Sequence, residues 1–275
     1  MESRSIELPS TPLPRTTPTL HRSAPFSAMH RFYLPPAECR QQPLTLSKRE
    51  AHHALNVLRI RPGERVAVLN GAGEEMLCEV LEAGHGAVTL KVVQTHALAR
   101  LPYQVTLLQA LTKGKTMEQI VQKATELGAH RIVPILSARS VAQVQSDDAA
   151  NKLDKWETTA IEAIKQCGCA WLPRLEPPQT PQAFLAREDK FELSLIASLQ
   201  PDARHPREHF ESFQAEHGRR PESVCVWVGP EGDFTPAEIN AIRASGALPI
   251  TLGKLVLRSE TAAIYCMSII NYALQ

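Results

Sequence analysis

The sequence predicts an α/β fold in which a helix-covered parallel sheet follows a small β-rich barrel. Two observations carry this expectation. From about residue 100, apolar strand-like runs alternate with amphipathic helical stretches, a pattern that implies parallel strands joined by crossover helices. Before it, residues 65–71, 75–81 and 87–93 are short strand-like runs separated by glycine-containing turns, as in a barrel. The expected units are an extension over 1–28, a barrel over 29–98 and the larger domain over 99–275.

The elements follow in order. Proline, serine and threonine make up half of residues 1–28, with no helix or strand period and no apolar core of signal-peptide length, so this stretch is expected to be disordered. Its Arg4, Arg15 and Arg22 have some transit-peptide character, which Glu2 and Glu7 oppose. His52 and His53 precede an apolar-periodic stretch through Leu55 and Leu58; as neighbours on a helix they cannot face one site, which argues against a metal. Residues 103–111 form a strand. Thr116 with Gln119 signals a helix start, with Met117, Ile120, Val121, Ala124 and Leu127 on its inner face and Gly128 as its stop. Strand 131–136 follows, then a helix burying Trp156, Ala160, Ala163, Ile164 and Cys167. After a proline-rich connection comes strand 191–199.

The run Val224-Cys-Val-Trp-Val-Gly-Pro-Glu-Gly-Asp-Phe-Thr-Pro-Ala-Glu238 is the most informative. It reads as a buried strand, a tight loop in which Gly229 and Gly232 let backbone approach a ligand, and a helix specified by Thr235 at the cap, Pro236 at the first position and Glu238 closing a capping box. Leu252-Gly-Lys-Leu-Val-Leu-Arg-Ser-Glu-Thr-Ala262 repeats the arrangement, leaving strand 249–252 and entering helix 261–274, which is apolar almost all round and must be covered on several sides.

Charge and cysteine content bound the chemistry. The net charge is +1, but residues 22–65 hold eight Lys or Arg against three acids, enough to draw a polyanion to one end. Six cysteines without a Cys-x-x-Cys pair indicate no structural zinc site; Cys225 and Cys266 read as core residues of a reduced protein, and Cys167 and Cys169 as free thiols. No window has the apolar length of a membrane span. Gly114-Lys115-Thr116 imitates the end of a phosphate-binding loop, but the first glycine of that motif falls at Gln109, which argues against a nucleotide phosphohydrolase. Gly71-Ala-Gly73 lacks the third glycine of a dinucleotide fingerprint.

The two loops together resemble the cofactor loops of the SPOUT methyltransferases. Arg31-Phe-Tyr-Leu-Pro35, His52-His-Ala-Leu-Asn-Val-Leu-Arg59 with Pro62-Gly63, Leu107-Leu-Gln-Ala-Leu-Thr-Lys-Gly114 and Gln122-Lys-Ala-Thr-Glu-Leu-Gly128 extend the resemblance over residues 29–275, to the subfamily that methylates N3 of a uridine in 16S ribosomal RNA. The resemblance implies a trefoil-knotted methyltransferase domain behind a PUA-like RNA-binding barrel. It also implies S-adenosylmethionine as cofactor, the small ribosomal subunit as context, a cytoplasmic homodimer and no metal. Carried onto this chain, the cofactor would be held by Leu199, Gly229, Pro230, Glu231, Gly232, Leu252, Gly253 and Leu257; Arg258 would be catalytic, Glu260 a candidate proton acceptor, and Arg31, Arg59 and Arg61 would contact RNA. Relatives commonly begin near Met29, so an upstream start or a bacterial extension is expected for 1–28. Two departures stand out: Cys169 follows Gly168 where relatives carry arginine, leaving Arg174 or another cation to substitute, and Asp233 stands where glycine is frequent.

Overall fold

The computed structural model describes residues 29–140 and 146–275, so the extension over 1–28 lies outside the described residues. Two sheets organise the chain. The first contains β1 (Arg31–Tyr33), β2 (Leu44–Thr45), β3 (Arg65–Leu69), β4 (Glu74–Gly84) and β5 (Ala87–Ala97) in the order β1-β3-β4-β5-β2. β1 runs parallel to β3 and the other pairs are antiparallel. Register shifts at Leu77/Cys78 and Val80/Glu82 bend β4 and curl the sheet around Phe32, Leu34, Leu44, Val66, Val68 and Leu90. The expected barrel is therefore a curled sheet with two edges, and no β1–β2 ladder closes it among the described residues. A short helix α1 (Lys48–His52) caps it and continues as a π-helical turn over His53–Leu58, which Arg59 ends in a left-handed conformation, φ 55°.

The second sheet is all parallel, in the order β11-β9-β10-β6-β7-β8. Its strands are β6 (Gln104–Ala110), β7 (Arg131–Ile135), β8 (Arg174–Leu175), β9 (Leu193–Ala197), β10 (Ser223–Val228) and β11 (Leu248–Ile250). Residues 224–228 are all buried, as a central strand covered on both faces requires. One face carries α2 (Thr116–Glu126), α3 (Ser146–Cys167), α5 (Pro206–His217) and α7 (Ser259–Leu274) over a core that includes Leu107, Ile120, Trp156 and Met267; the other carries α4 (Pro181–Leu185) and α6 (Pro236–Ala244) around Trp227 and Phe234.

Four sequence expectations change in detail. Thr116 is the first residue of α2 and does not cap it, because Lys115 occupies the cap position without a side-chain hydrogen bond. Cys167, expected inside, is exposed at the end of α3, while burial pushes the thiols of Cys225 and Cys266 up to about 12 as core residues. The connection between α3 and β9 contains β8 and α4, and the next one contains α5. On α7, Ala263, Cys266, Met267, Ile270 and Leu274 are buried within the protomer, whereas Tyr265 and Tyr272 face solvent.

The two sheets are joined by a built seam. Leu69 packs with Ile164 and Ala170, the Trp171 indole donates to the Leu98 carbonyl at 2.9 Å, and the buried Lys165 ammonium meets Glu50 at 2.8 Å. A buried pair of this kind adds little net stability but penalises any docking that would leave one partner alone. Among the described residues, no helix is long and apolar enough to cross a membrane.

Candidate active site

β10 and β9 end side by side at the carboxyl edge of the parallel sheet, where crevices for ligands form in open α/β sheets. There the loop after β9, the loop after β10 and the segment between β11 and α7 enclose a cavity of about 370 Å³. Of the residues expected to bind cofactor, Leu199, Gly229, Pro230, Glu231, Leu252, Gly253 and Leu257 all line it. Leu199 lies two residues beyond β9 rather than ending it, and is 65% exposed. Gly232 does not line the cavity. Its carbonyl accepts from Arg139 Nη1 at 2.9 Å, and a Cβ there would meet nothing closer than 3.8 Å.

Glycine is needed at two places in the wall. A Cβ on Gly229 would stand 2.9 Å from Asp233 Oδ1 and 3.4 Å from the Asp233 Cα and the Phe234 ring. Gly253 adopts φ +112°, which other residues reach only with strain. Asp233 itself holds φ 59°, which explains how it stands where glycine is frequent: its carboxylate accepts from the Phe234 amide at 2.7 Å, a local bond that lets aspartate tolerate the left-handed region.

Two buried groups fix these loops through long-range contacts that the sequence does not show. Gln109, wholly buried at the end of β6, donates through Nε2 to Ser259 Oγ at 2.9 Å; Ser259 in turn donates to the Gly229 carbonyl at 2.7 Å. The first residue of α7 is thereby tied to the β10 loop. Glu238 is the second group. Besides closing the capping box with Thr235, its carboxylate accepts from the Ala138 amide at 2.8 Å and Ser137 Oγ at 3.1 Å. Burial pushes this carboxyl up, but the amides of Thr235 and Ala138 and the two hydroxyls outweigh burial and hold it below its usual value. The stabilisation is thus present above the unfolded-state pKa, near 4.5, and fades as pH falls through the lower folded one. Glu238→Ala is expected to cost about 1–3 kcal/mol in urea unfolding at pH 7 and to flatten the acid limb of stability.

Arg258 sits at the N-cap of α7, between Leu257 and Ser259, which both line the cavity. It is exposed and does not itself line the cavity, and it has no side-chain ion pair among the described residues. Glu260 lies in the first turn of α7. Arg59 and Arg61 are exposed beyond the π-helical turn. Arg31 has a different environment: its guanidinium is largely buried, pairs with the buried Glu75 at 3.3 Å and lies beside Gly168. It holds the first sheet against the end of α3 rather than facing solvent. Arg174 is 71% exposed and 3.5 Å from Glu176.

Comparisons with known proteins agree with this geometry. The family model described as an RNA methyltransferase domain matches residues 99–271, and one described as an RNA methyltransferase PUA domain matches residues 46–93. The chain is 31% identical over 231 residues to ribosomal RNA small subunit methyltransferase E of Bacillus subtilis, covering 83% of this chain and 89% of that protein. Among solved structures, a methyltransferase of Legionella pneumophila in complex with its bound cofactor SAM superposes with a TM-score of 0.80 at 31% identity, covering 89% of this chain and 98% of that one. Ribosomal RNA small subunit methyltransferase E of Neisseria gonorrhoeae, bound to S-adenosyl methionine, gives 0.76 at 27% identity, covering 89% and 97%.

Proposed function

The chain belongs to the RNA methyltransferase family, and on that premise we propose that it uses S-adenosylmethionine to methylate N3 of a uridine in 16S ribosomal RNA. The observation that carries the reading is the glycine-walled cavity at the carboxyl edge of the parallel sheet, into which seven sequence-expected residues converge. The bound cofactor supplies an electrophilic methyl group, so the protein must align donor and acceptor and manage one proton.

In this reading the amides of Gly229 and Gly253 and the carbonyl of Pro230 meet the edge of adenine, with Leu199, Leu252 and Leu257 against its faces. Gly229, where a Cβ would crowd Asp233 and Phe234, and Gly253, with its φ of +112°, let the backbone of both walls take the path it does. Uracil N3 is a poor nucleophile until its proton leaves. Arg258, next to the anchored Ser259 at the mouth, would offer a cation to O2 or O4, where negative charge develops on the base. Glu260, in the first turn of the same helix, is the proposed group to help that proton depart. Incubating the purified protein with methyl-labelled cofactor and small-subunit RNA tests the reading: label is expected in the RNA, and none would appear if the protein only binds.

The curled sheet of residues 29–98 serves in this account as a positioning surface for RNA, through phosphate contacts from Arg59 and Arg61. Replacing both by alanine is expected to weaken RNA binding and to lower the slope of log affinity against log salt by about 0.7–0.9 for each phosphate left without its arginine. Arg31, largely buried and paired with Glu75, is left out of this proposed surface.

A homodimer acting in the cytoplasm completes the proposal. The face of α7 that carries Tyr265 and Tyr272, 42% and 82% exposed, continues from the α7 mouth of the cavity and is suited to a second copy. Tyr272→Glu is expected to give monomers by light scattering, with secondary structure unchanged. Ile270→Glu should instead unfold the protein, because Ile270 is wholly buried within one protomer.

A further inference from the structure

One feature of the sequence lies outside the cofactor cavity: Gly114-Lys115-Thr116, between β6 and α2. The structure forms the strand, loop and helix of a phosphate-binding junction there. Gly114 adopts φ +61° with open space around it, and α2 starts without a side-chain cap, leaving its first amides without a side-chain acceptor. A helix start of this kind favours an anion but does not by itself make a site. A second group points to a ligand. Thr112 is only 5% exposed, yet its hydroxyl has no hydrogen-bond partner among the described residues, and it lines a cavity of about 130 Å³ together with Gly114, Glu118, Lys152 and Lys155. Buried hydroxyls are nearly always satisfied, so one left open on a cavity wall marks a missing partner. The local charge is positive. Lys113 and Lys115 flank the loop, exposed and without ion pairs among the described residues, and the carboxylate on the cavity wall, Glu118, is held by Lys155 at 2.8 Å.

The geometry points to a phosphate site at the start of α2, filled by the RNA backbone next to the target nucleotide. The inference rests on the RNA methyltransferase reading. β6 pairs with β10 in a register that sets Gln109 opposite Val228, so both strands deliver their loops to the same edge of the sheet. A strand of RNA whose base enters beside Gly229 and Arg258 can then set a phosphate on the neighbouring loop. A nucleoside triphosphate would present the same oxyanion chemistry. The cavity is too small for a nucleotide, and the side chain of Gln109 occupies the place of the first glycine that such a loop needs.

Two variants and two ligands test it. Thr112→Val removes the hydroxyl at nearly constant volume. It is expected to weaken binding of small-subunit ribosomal RNA roughly tenfold, the effect of removing one hydrogen bond to a charged group, while the melting temperature stays level or rises because an unpartnered polar atom has gone. A purely structural threonine would instead lower the melting temperature and leave RNA affinity alone. Lys113→Ala with Lys115→Ala, both on the surface, should lower the salt slope of RNA binding by about 0.7 for each single-stranded phosphate left without its lysine and leave S-adenosylmethionine affinity unchanged. Wild-type affinity and slope in both variants would overturn the site while leaving the methyltransferase reading intact. If the wild type bound no RNA, both would fall. Binding of magnesium ATP that depends on Thr112, with RNA binding indifferent to it, would also overturn the assignment to RNA backbone.

Discussion

Arg258→Ala is expected to slow methyl transfer on the order of 100-fold in single turnover, with S-adenosylmethionine affinity near that of the wild type. The split follows from position. Arg258 does not line the cavity, so its loss should leave cofactor contacts in place, while its neighbour Ser259 remains anchored to Gly229 and Gln109. What disappears is the cation at the mouth that we propose stabilises the charge developing on uracil. Raising the pH should restore part of the rate, because hydroxide then assists removal of the N3 proton. An unchanged single-turnover rate would dismiss Arg258 from catalysis, and a large loss of cofactor affinity would recast it as a binding residue.

Gly229→Val is expected to reduce S-adenosylmethionine binding beyond detection, whereas Gly232→Ala should leave it near normal. The contrast is geometric. At Gly229 even a Cβ falls 2.9 Å from the Asp233 carboxylate and 3.4 Å from the Phe234 ring, and a β-branched side chain would have to enter the cavity or displace the loop. At Gly232 a Cβ makes ordinary contact with Arg139 at 3.8 Å. Calorimetric titration with the cofactor distinguishes the two; equal affinities would remove the β10 loop from the site. Circular dichroism of Gly229→Val guards against simple unfolding, and Gly253→Val, strained through its φ of +112°, provides an independent test of the opposite wall.

The parts of this molecule legible in the sequence are those fixed by local chemistry. The run 224–228 is apolar at every position because β10 is covered on both faces, and Thr235, Pro236 and Glu238 specify the start of α6 within four residues. The loops that line the cavity are legible for the same reason, since glycine, proline and strand ends cluster there. Long-range pairings are not. Nothing in the sequence places Glu238 against Ala138 or Gln109 against Ser259, contacts spanning 100 and 150 residues. Arg31 is indistinguishable in sequence from the exposed Arg59; only the fold brings Glu75 beside it. The helix α5 is hard to see because its cap is His205, an unusual residue for that position, although Glu208 completes the capping box and Pro206 follows the cap. Gly232 looks equivalent to Gly229; only the direction of the missing Cβ separates them.

Nucleoside mass spectrometry of small-subunit ribosomal RNA treated with the purified protein and S-adenosylmethionine identifies the methylated atom. N3 lies on the pairing edge of uracil, so the substrate must be an unpaired uridine or one drawn out of its stack into the crevice beside Gly229 and Arg258. The expected product is 3-methyluridine, formed at a single position and absent when Arg258→Ala replaces the wild type at short reaction times. A methyl group on ribose O2′, on guanine N1 or on transfer RNA would contradict it.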